Sequence, residues 1–294
     1  MTHTPSTTSS PIHTTRHIER IVHGIATQDG AGVQLTRMIG TPSLPMLDPF
    51  LMLDAFRSDQ PDDYIAGFPP HPHRGFETVT YLLAGRMRHK DNAGHEGIIE
   101  AGGIQWMSAA RGIIHSEMPE QQDGLLEGFQ LWVNLPAQHK MDFPSYQEYP
   151  ADKIPIQTES NGTIVRVIAG TTDQGTQGVI QQPLTEPLYL DIHLPAQHTF
   201  TQSLPIEHHA FLYVIMGEIT LDDQEGQSKL LHRDDLAVLS LGATIQLQAN
   251  ETDCRLLLIA AKPIHEPVAR GGPFVMNTKA EVRQAFYDFE QGLF

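Results

Sequence analysis

The sequence predicts an all-β protein of two similar halves, each an antiparallel barrel or sandwich, with one short helix at the C-terminal end. Three observations carry this. Short apolar and alternating runs recur at spacings of roughly 8 to 15 residues with turn signals between them, where a parallel sheet would need intervening helices. The 24 Gly and 21 Pro in 294 residues supply those turns. Finally, Tyr81-Leu82-Leu83-Ala84-Gly85 is echoed by Tyr213-Val214-Ile215-Met216-Gly217, and a turn and strand follow each, so one architecture is read twice.

In order along the chain, residues 1–17 are rich in Ser and Thr, lack the apolar stretch of a secretory signal, and read as a disordered tail. The first half is expected over residues 18–138. It opens with alternating strands through Ile39, passes Asp48 to Phe56, and reaches a polar loop from Arg57 to Gly67 of the kind that supplies substrate contacts. From Thr78 to Leu83 the alternation places Val79, Tyr81 and Leu83 on the face that also carries His71, His73 and Glu77, provided no bulge intervenes. The run Gly128 to Leu135 completes this half.

Residues 139–162 are interrupted by proline and read as an interdomain connection. The second half, residues 163–262, resumes short strands, with Leu188, Leu190, Ile192 and Leu194 alternating against Tyr189, Asp191 and His193. Residues 263–294 form an extension with the helix. Thr278 and Glu281 make a capping box, and Val282, Ala285, Phe286 and Phe289 follow the spacing of a buried stripe. Such a helix closes an open sheet end or clamps the two halves together.

Composition excludes several function classes. A formal net charge of -16 and the lack of any basic run argue against direct nucleic-acid binding. No stretch reaches the ~20 apolar residues of a membrane span. The single cysteine, Cys254, lies in the apolar run Cys254-Arg255-Leu256-Leu257-Leu258-Ile259 and reads as a buried core thiol. It permits no intrachain disulfide and fits a reducing, cytoplasmic setting. A monomer is expected.

The chemistry concentrates in two pairs, His71/His73 and His115/Glu117. Residues two apart on a strand share a face, so two neighbouring strands could aim three imidazoles and one carboxylate at one ion. Such donors suit a divalent first-row metal, with Fe(II), Mn, Ni, Co, Cu and Zn all possible. Octahedral coordination would leave two open positions, and the lack of nearby cysteine argues against structural zinc. Glu77 competes with Glu117, but at roughly 13 Å along the strand from His73 it needs a bend or bulge to reach the ion. Glu117 is therefore the expected ligand and Glu77 a nearby pocket group. His89, His95, His139, His193 and His265 read as incidental. In the second half His208 and His209 are adjacent and would point to opposite faces, so no metal is expected there.

The blocks His71-Pro72-His73-Arg74-Gly75-Phe76-Glu77-Thr78-Val79, Gln105-Trp106-Met107, Arg111 to Pro119 and Gly272-Pro273-Phe274-Val275-Met276-Asn277 resemble the pirin family. The resemblance implies a bicupin: two cupin barrels (double-stranded β-helix, or jelly-roll, barrels) facing each other, with one Fe(II) in the first, held by His71, His73, His115 and Glu117. It departs at Pro70, Ala84 and Ala110, where the family commonly has an acidic residue, Glu and Gly. Asp54, Phe68 and Met87 are the implied pocket-lining residues. Two functions follow from the family. One is a quercetinase that opens a flavonol with dioxygen, Glu117 serving as ligand and base and Glu77 as the spare base. The other is a metal- and redox-dependent regulator that binds protein partners without turnover.

Overall fold

The computed structural model describes residues 15–294, and the chain forms two β-barrels of matching design followed by a helical extension. Each barrel pairs a seven-stranded sheet with a four-stranded one. In the first, the large sheet runs Ser145–Tyr149, Ile104–Ser108, Phe76–Ala84, Leu126–Asn134, Phe50–Ser58, Val33–Ile39, Ile25–Asp29, and the small sheet runs Phe68–His73, Ile113–Pro119, Arg86–Asp91, Glu96–Glu100. In the second, the order is Ile18–His23, Asp235–Leu239, His209–Met216, Cys254–Ala261, Leu188–Leu194, Ile164–Ala169, Ile156–Thr158 against Thr199–Ser203, Thr244–Ala249, Ile219–Asp222, Ser228–Leu231. Every named strand pair is antiparallel, as short alternating runs joined by turns require.

Alternation along each central strand serves two cores at once. In Phe76–Ala84, Val79 and Tyr81 leave the barrel and pack between the two large sheets, while Leu82 turns into the barrel. Edge-on aromatic pairs join the halves across this gap, with Phe50 and Phe211 at 5.1 Å, Phe129 and Tyr213 at 5.0 Å, and Tyr81 and Tyr189 at 5.9 Å. Tyr81 also donates to Asp191 at 2.6 Å. The second barrel is filled by side chains such as Leu190, Leu212, Leu247 and Leu256. Cys254 belongs to this filling, and burial pushes its thiol up to about 12, which makes it an inert core residue. In the first barrel the corresponding apolar cluster is much smaller and leaves room for polar groups.

Sequential boundaries and spatial ones differ at both ends of the first half. Ile18–His23, expected in the first barrel, pairs with Asp235–Leu239 at the edge of the second large sheet. Residues 1–14 of the expected tail lie outside the described residues, but Arg16 is buried and donates to the carbonyls of Gly242, Ser240, His208 and Pro205, which anchors the chain there. Within the expected connection, Ser145–Tyr149 adds a strand to the first large sheet and Ile156–Thr158 one to the second.

The helix Lys279–Glu290 forms with the capping box expected of Thr278 and Glu281. Its buried stripe is narrower than the pattern suggests: Val282 and Ala285 are buried, whereas Phe286 and Phe289 are 41% and 36% exposed. The helix and the hairpin Ala269–Gly271/Phe274–Met276 fold back onto the first barrel. Val275 donates its amide to the Arg74 carbonyl, Asp288 pairs with Arg74 at 2.6 Å, and the Lys140 ammonium bridges the carbonyls of Gly75 and Val275.

Candidate metal centre

Phe68–His73 and Ile113–Pro119 are neighbours in the small sheet of the first barrel, with His71 opposite His115 and Ile113 opposite His73. A register shift between His115 and Glu117 sets Glu117 opposite Phe68. Side-chain alternation then gathers His71, His73 and His115 into one group whose donor nitrogens all lie within 4.8 Å of one another. His73 and His115 are buried. Burial first, and the neighbouring imidazoles second, hold both well below the usual histidine range, so both rings are neutral.

The hydrogen bonds assign the tautomers. His71 Nδ1 lies 2.8 Å from the Pro69 carbonyl and His73 Nδ1 3.4 Å from that of Pro273. A carbonyl only accepts, so both Nδ1 atoms carry the proton and both Nε2 atoms present lone pairs, 3.0 Å apart. Two lone pairs at that distance repel unless a cation or a proton lies between them. On the third ring, His89 Nε2 donates to Asp91 at 3.2 Å, which leaves His89 Nδ1 to accept from His115 Nδ1 at 3.5 Å. His115 Nε2 is then a third lone pair, buried without a hydrogen-bond partner among the described residues. Three converging imidazole acceptors and an orphaned buried nitrogen are the features a divalent cation satisfies.

A second layer supports these rings. Asp91 accepts from His95 at 2.9 Å as well as from His89, and Tyr146 stacks on both imidazoles at 5.0 and 4.8 Å. Burial pushes the Asp91 carboxyl up, but the hydrogen bonds from His95 and His89 outweigh it and hold the group below its ordinary value. His73 packs edge-on against Phe76 and Trp132, at 5.0 and 5.1 Å.

His71 and His73 open onto a cavity of about 570 Å³. Leu35, Phe56, Phe68 and Trp132 give it apolar walls, Gln130 lies within it, and Asp29, Asp54 and Arg270 supply charge. Arg37 grips Asp54 with two hydrogen bonds of 2.8 and 2.7 Å and reaches Asp29 at 3.0 Å. Arg270, from the C-terminal hairpin, sits 4.7 Å over the Trp132 ring. Burial, and then the nearby Arg37 charge, lower its pKa.

The residues singled out by sequence distribute unequally. Asp54 and Phe68 line the cavity; Met87 packs in the barrel's apolar cluster instead. Glu117 is buried within the barrel but stands outside the three-histidine group, its carboxylate accepting from Thr80 Oγ1 at 2.7 Å and Gln130 Nε2 at 2.6 Å. Glu77 is elsewhere. The continuous strand assumed between His73 and Glu77 is broken at Arg74 and Gly75, where φ of +88° turns the chain from the small sheet into the large one. Glu77 therefore faces the gap between the halves and accepts from Trp106 at 3.0 Å and Gln182 at 2.7 Å. His89 and His95, read as incidental, are the supports of His115. The two-apart rule that selects His71/His73 also selects His89/Asp91 and Gln130/Trp132.

Comparison with known proteins places this arrangement. The family model for pirin matches residues 32–133, and that for the pirin C-terminal cupin domain matches residues 189–294. A pirin-like protein of Caulobacter vibrioides is 51% identical over 284 residues, covering 95% of this chain and 99% of that one. This chain belongs to the pirin family. A Pseudomonas aeruginosa relative with the provisional name quercetin 2,3-dioxygenase is 47% identical over 95% of this chain and 98% of its own, and human pirin is 41% identical over 89% and 88%. Among solved structures, a quercetin 2,3-dioxygenase from Acinetobacter baumannii has a TM-score of 0.86 at 33% identity, covering 96% of this chain and 99% of that one. The Escherichia coli pirin YhhW in complex with nickel(II) shares the fold, with a TM-score of 0.63 at 18% identity over 83% of this chain and 98% of that one.

Proposed function

We propose that this pirin-family protein is a quercetinase-like dioxygenase that opens a flavonol-type ring with dioxygen in the cavity above the three histidines. The observation that carries the proposal is the convergence of three Nε2 lone pairs, two of them on rings that line a cavity of about 570 Å³ with aromatic walls. The residues proposed to hold the metal are His71, His73 and His115 through Nε2 and Glu117 through its carboxylate, and the metal proposed is Fe(II). When bound, such a metal supplies Lewis acidity toward a substrate oxygen and one-electron chemistry with dioxygen.

The chain's own groups supply the rest. Phe56, Phe68 and Trp132 offer flat apolar surface to a polyphenol and exclude water from it. Arg270 and the Arg37–Asp54 pair are placed to orient phenolic hydroxyls at the cavity wall. Thr80 and Gln130 hold the Glu117 carboxylate in the barrel, where it is the candidate acceptor for the substrate hydroxyl proton. Glu77, committed to the gap between the halves, has no part in this step.

Aerobic incubation of iron-loaded protein with quercetin is expected to bleach the flavonol absorbance, and a rate no higher than that of His115→Ala would refute the enzyme reading. Metal analysis separates the parts: His71→Ala and His115→Ala are expected to lose metal. Retention of wild-type stoichiometry by either would overturn the ligand set independently of turnover.

A further inference from the structure

The gap between the two large sheets closes around Tyr81 and Asp191 and flares beyond them into a second cleft, of about 480 Å³. Arg57 and Glu127 enter it from strands of the first half, and Arg166, Asp191 and Arg255 from strands of the second. Arg233 joins them from the turn before Asp235–Leu239. The chain carries 19 Lys and Arg against 35 Asp and Glu, yet this one cleft holds four guanidinium groups and two carboxylates. The local balance is the reverse of the whole.

The carboxylates present are already committed. Asp191 takes Arg255 Nε and Nη2 at 3.0 and 2.7 Å and the Tyr81 hydroxyl. Glu127 is shared between Arg57 at 3.3 Å and Arg233 at 3.2 Å, and Arg233 also approaches Asp234 at 3.6 Å. Arg166 lies across the strand from Asp191 and has no carboxylate partner among the described residues. Beside these cations and His193, Leu83, Ile164, Ile215 and Met216 give the cleft apolar lining, and Ile164 and Met216 remain 37% and 45% exposed. Guanidinium groups with unfilled donors beside uncovered apolar surface match a ligand with an apolar body and an anionic end. The cleft is separate from the metal cavity; the two share no lining residue.

We propose that the seam cleft is a binding site for a small amphipathic carboxylate, its apolar body against Ile164 and Met216 and its carboxylate on Arg166. The proposal stands independently of the reaction at the metal. A bare phosphate would leave the apolar surface uncovered, and a neutral ring would leave Arg166 unpaired.

The test is calorimetric titration of the full-length protein with 2-naphthoate, its neutral isostere 2-naphthamide, and inorganic phosphate. Expected is saturable binding of one naphthoate, weakened about tenfold or more by Arg166→Gln, by the uncharged probe and by high salt. Met216→Glu, which sets a carboxylate on exposed apolar surface, is expected to abolish it without unfolding the chain. His115→Ala is expected to bind naphthoate as the wild type does. Binding lost in His115→Ala and untouched by Arg166→Gln and Met216→Glu would assign the naphthoate to the metal cavity and overturn the proposal. So would phosphate binding as tightly as naphthoate, or no saturation by about 5 mM ligand.

Discussion

At the scale of single residues, the metal centre depends as much on what holds the imidazoles as on the imidazoles themselves. His115 is directed by His89, which is directed by Asp91, and each hydrogen bond fixes which nitrogen of the next ring carries a proton. Replacing His89 by Ala removes the acceptor for His115 Nδ1 and frees the ring to turn or to present the wrong nitrogen. The variant is expected to bind metal about 10- to 100-fold more weakly, read by competition with a chelator of known affinity. An unchanged affinity would show that packing alone orients His115. The histidine pairs were legible in the sequence because strand alternation is a local rule, and His89/Asp91 obeys it equally well. In the sequence His89 stands in a polar, hairpin-like run with no partner pair in view, and only the opposing strand shows that the His89 and Asp91 side chains are fully buried.

At the scale of elements, the turn between His73 and Phe76 decides which side chains reach the metal cavity. Gly75 has φ of +88°, a region costly for residues with a Cβ, and a Cβ there would run into the Val275 carbonyl. The same carbonyl receives Lys140, and the same hairpin presents Pro273 to His73 and Arg270 to the cavity. Gly75→Ala is therefore expected to destabilise the fold by at least ~2 kcal/mol and to loosen the hairpin from the barrel. Chemical denaturation measures the first effect, and amide exchange at Val275 the second, since that amide is bonded to the Arg74 carbonyl. A variant as stable and as protected as the wild type would mean that the hairpin adjusts at little cost. The capping box made the helix legible, whereas its role as the outer support of the Arg74 turn was not. The Arg74–Asp288 pair spans 214 residues, and no local periodicity encodes it. For the same reason Arg270 and Pro273 could not be recognised as cavity residues from their surroundings in the chain.

At the scale of the whole molecule, the two barrels act as one body because their large sheets share a core, and Glu77 is a buried carboxyl that the first half commits to that contact. Trp106 in its own barrel and Gln182 in the segment leading to the second both donate to one of its oxygens, and Ser108 is a further hydrogen-bonding neighbour. Burial pushes its pKa up from 4.5 to about 7 against the pull of those donors. The folded protein therefore holds a proton on Glu77 that the unfolded chain releases between about pH 4.5 and pH 7. Stability from this group is fully present below pH 4.5 and is lost as pH rises to about 7, by about 3 kcal/mol in total. Glu77→Gln keeps a neutral acceptor for Trp106 and Gln182 and removes the titration. Denaturation of wild type and variant across this range is expected to give a stability difference that changes with pH in favour of the variant as Glu77 ionises, then levels off above pH 7. A difference constant with pH would show that Glu77 stays charged in the folded protein, and that water or a shift of the seam compensates its burial. Its position also explains why the sequence misassigned it: Glu77 follows His73 by four residues, and only the change of sheet at Gly75 sends one side chain into the barrel and the other between the barrels.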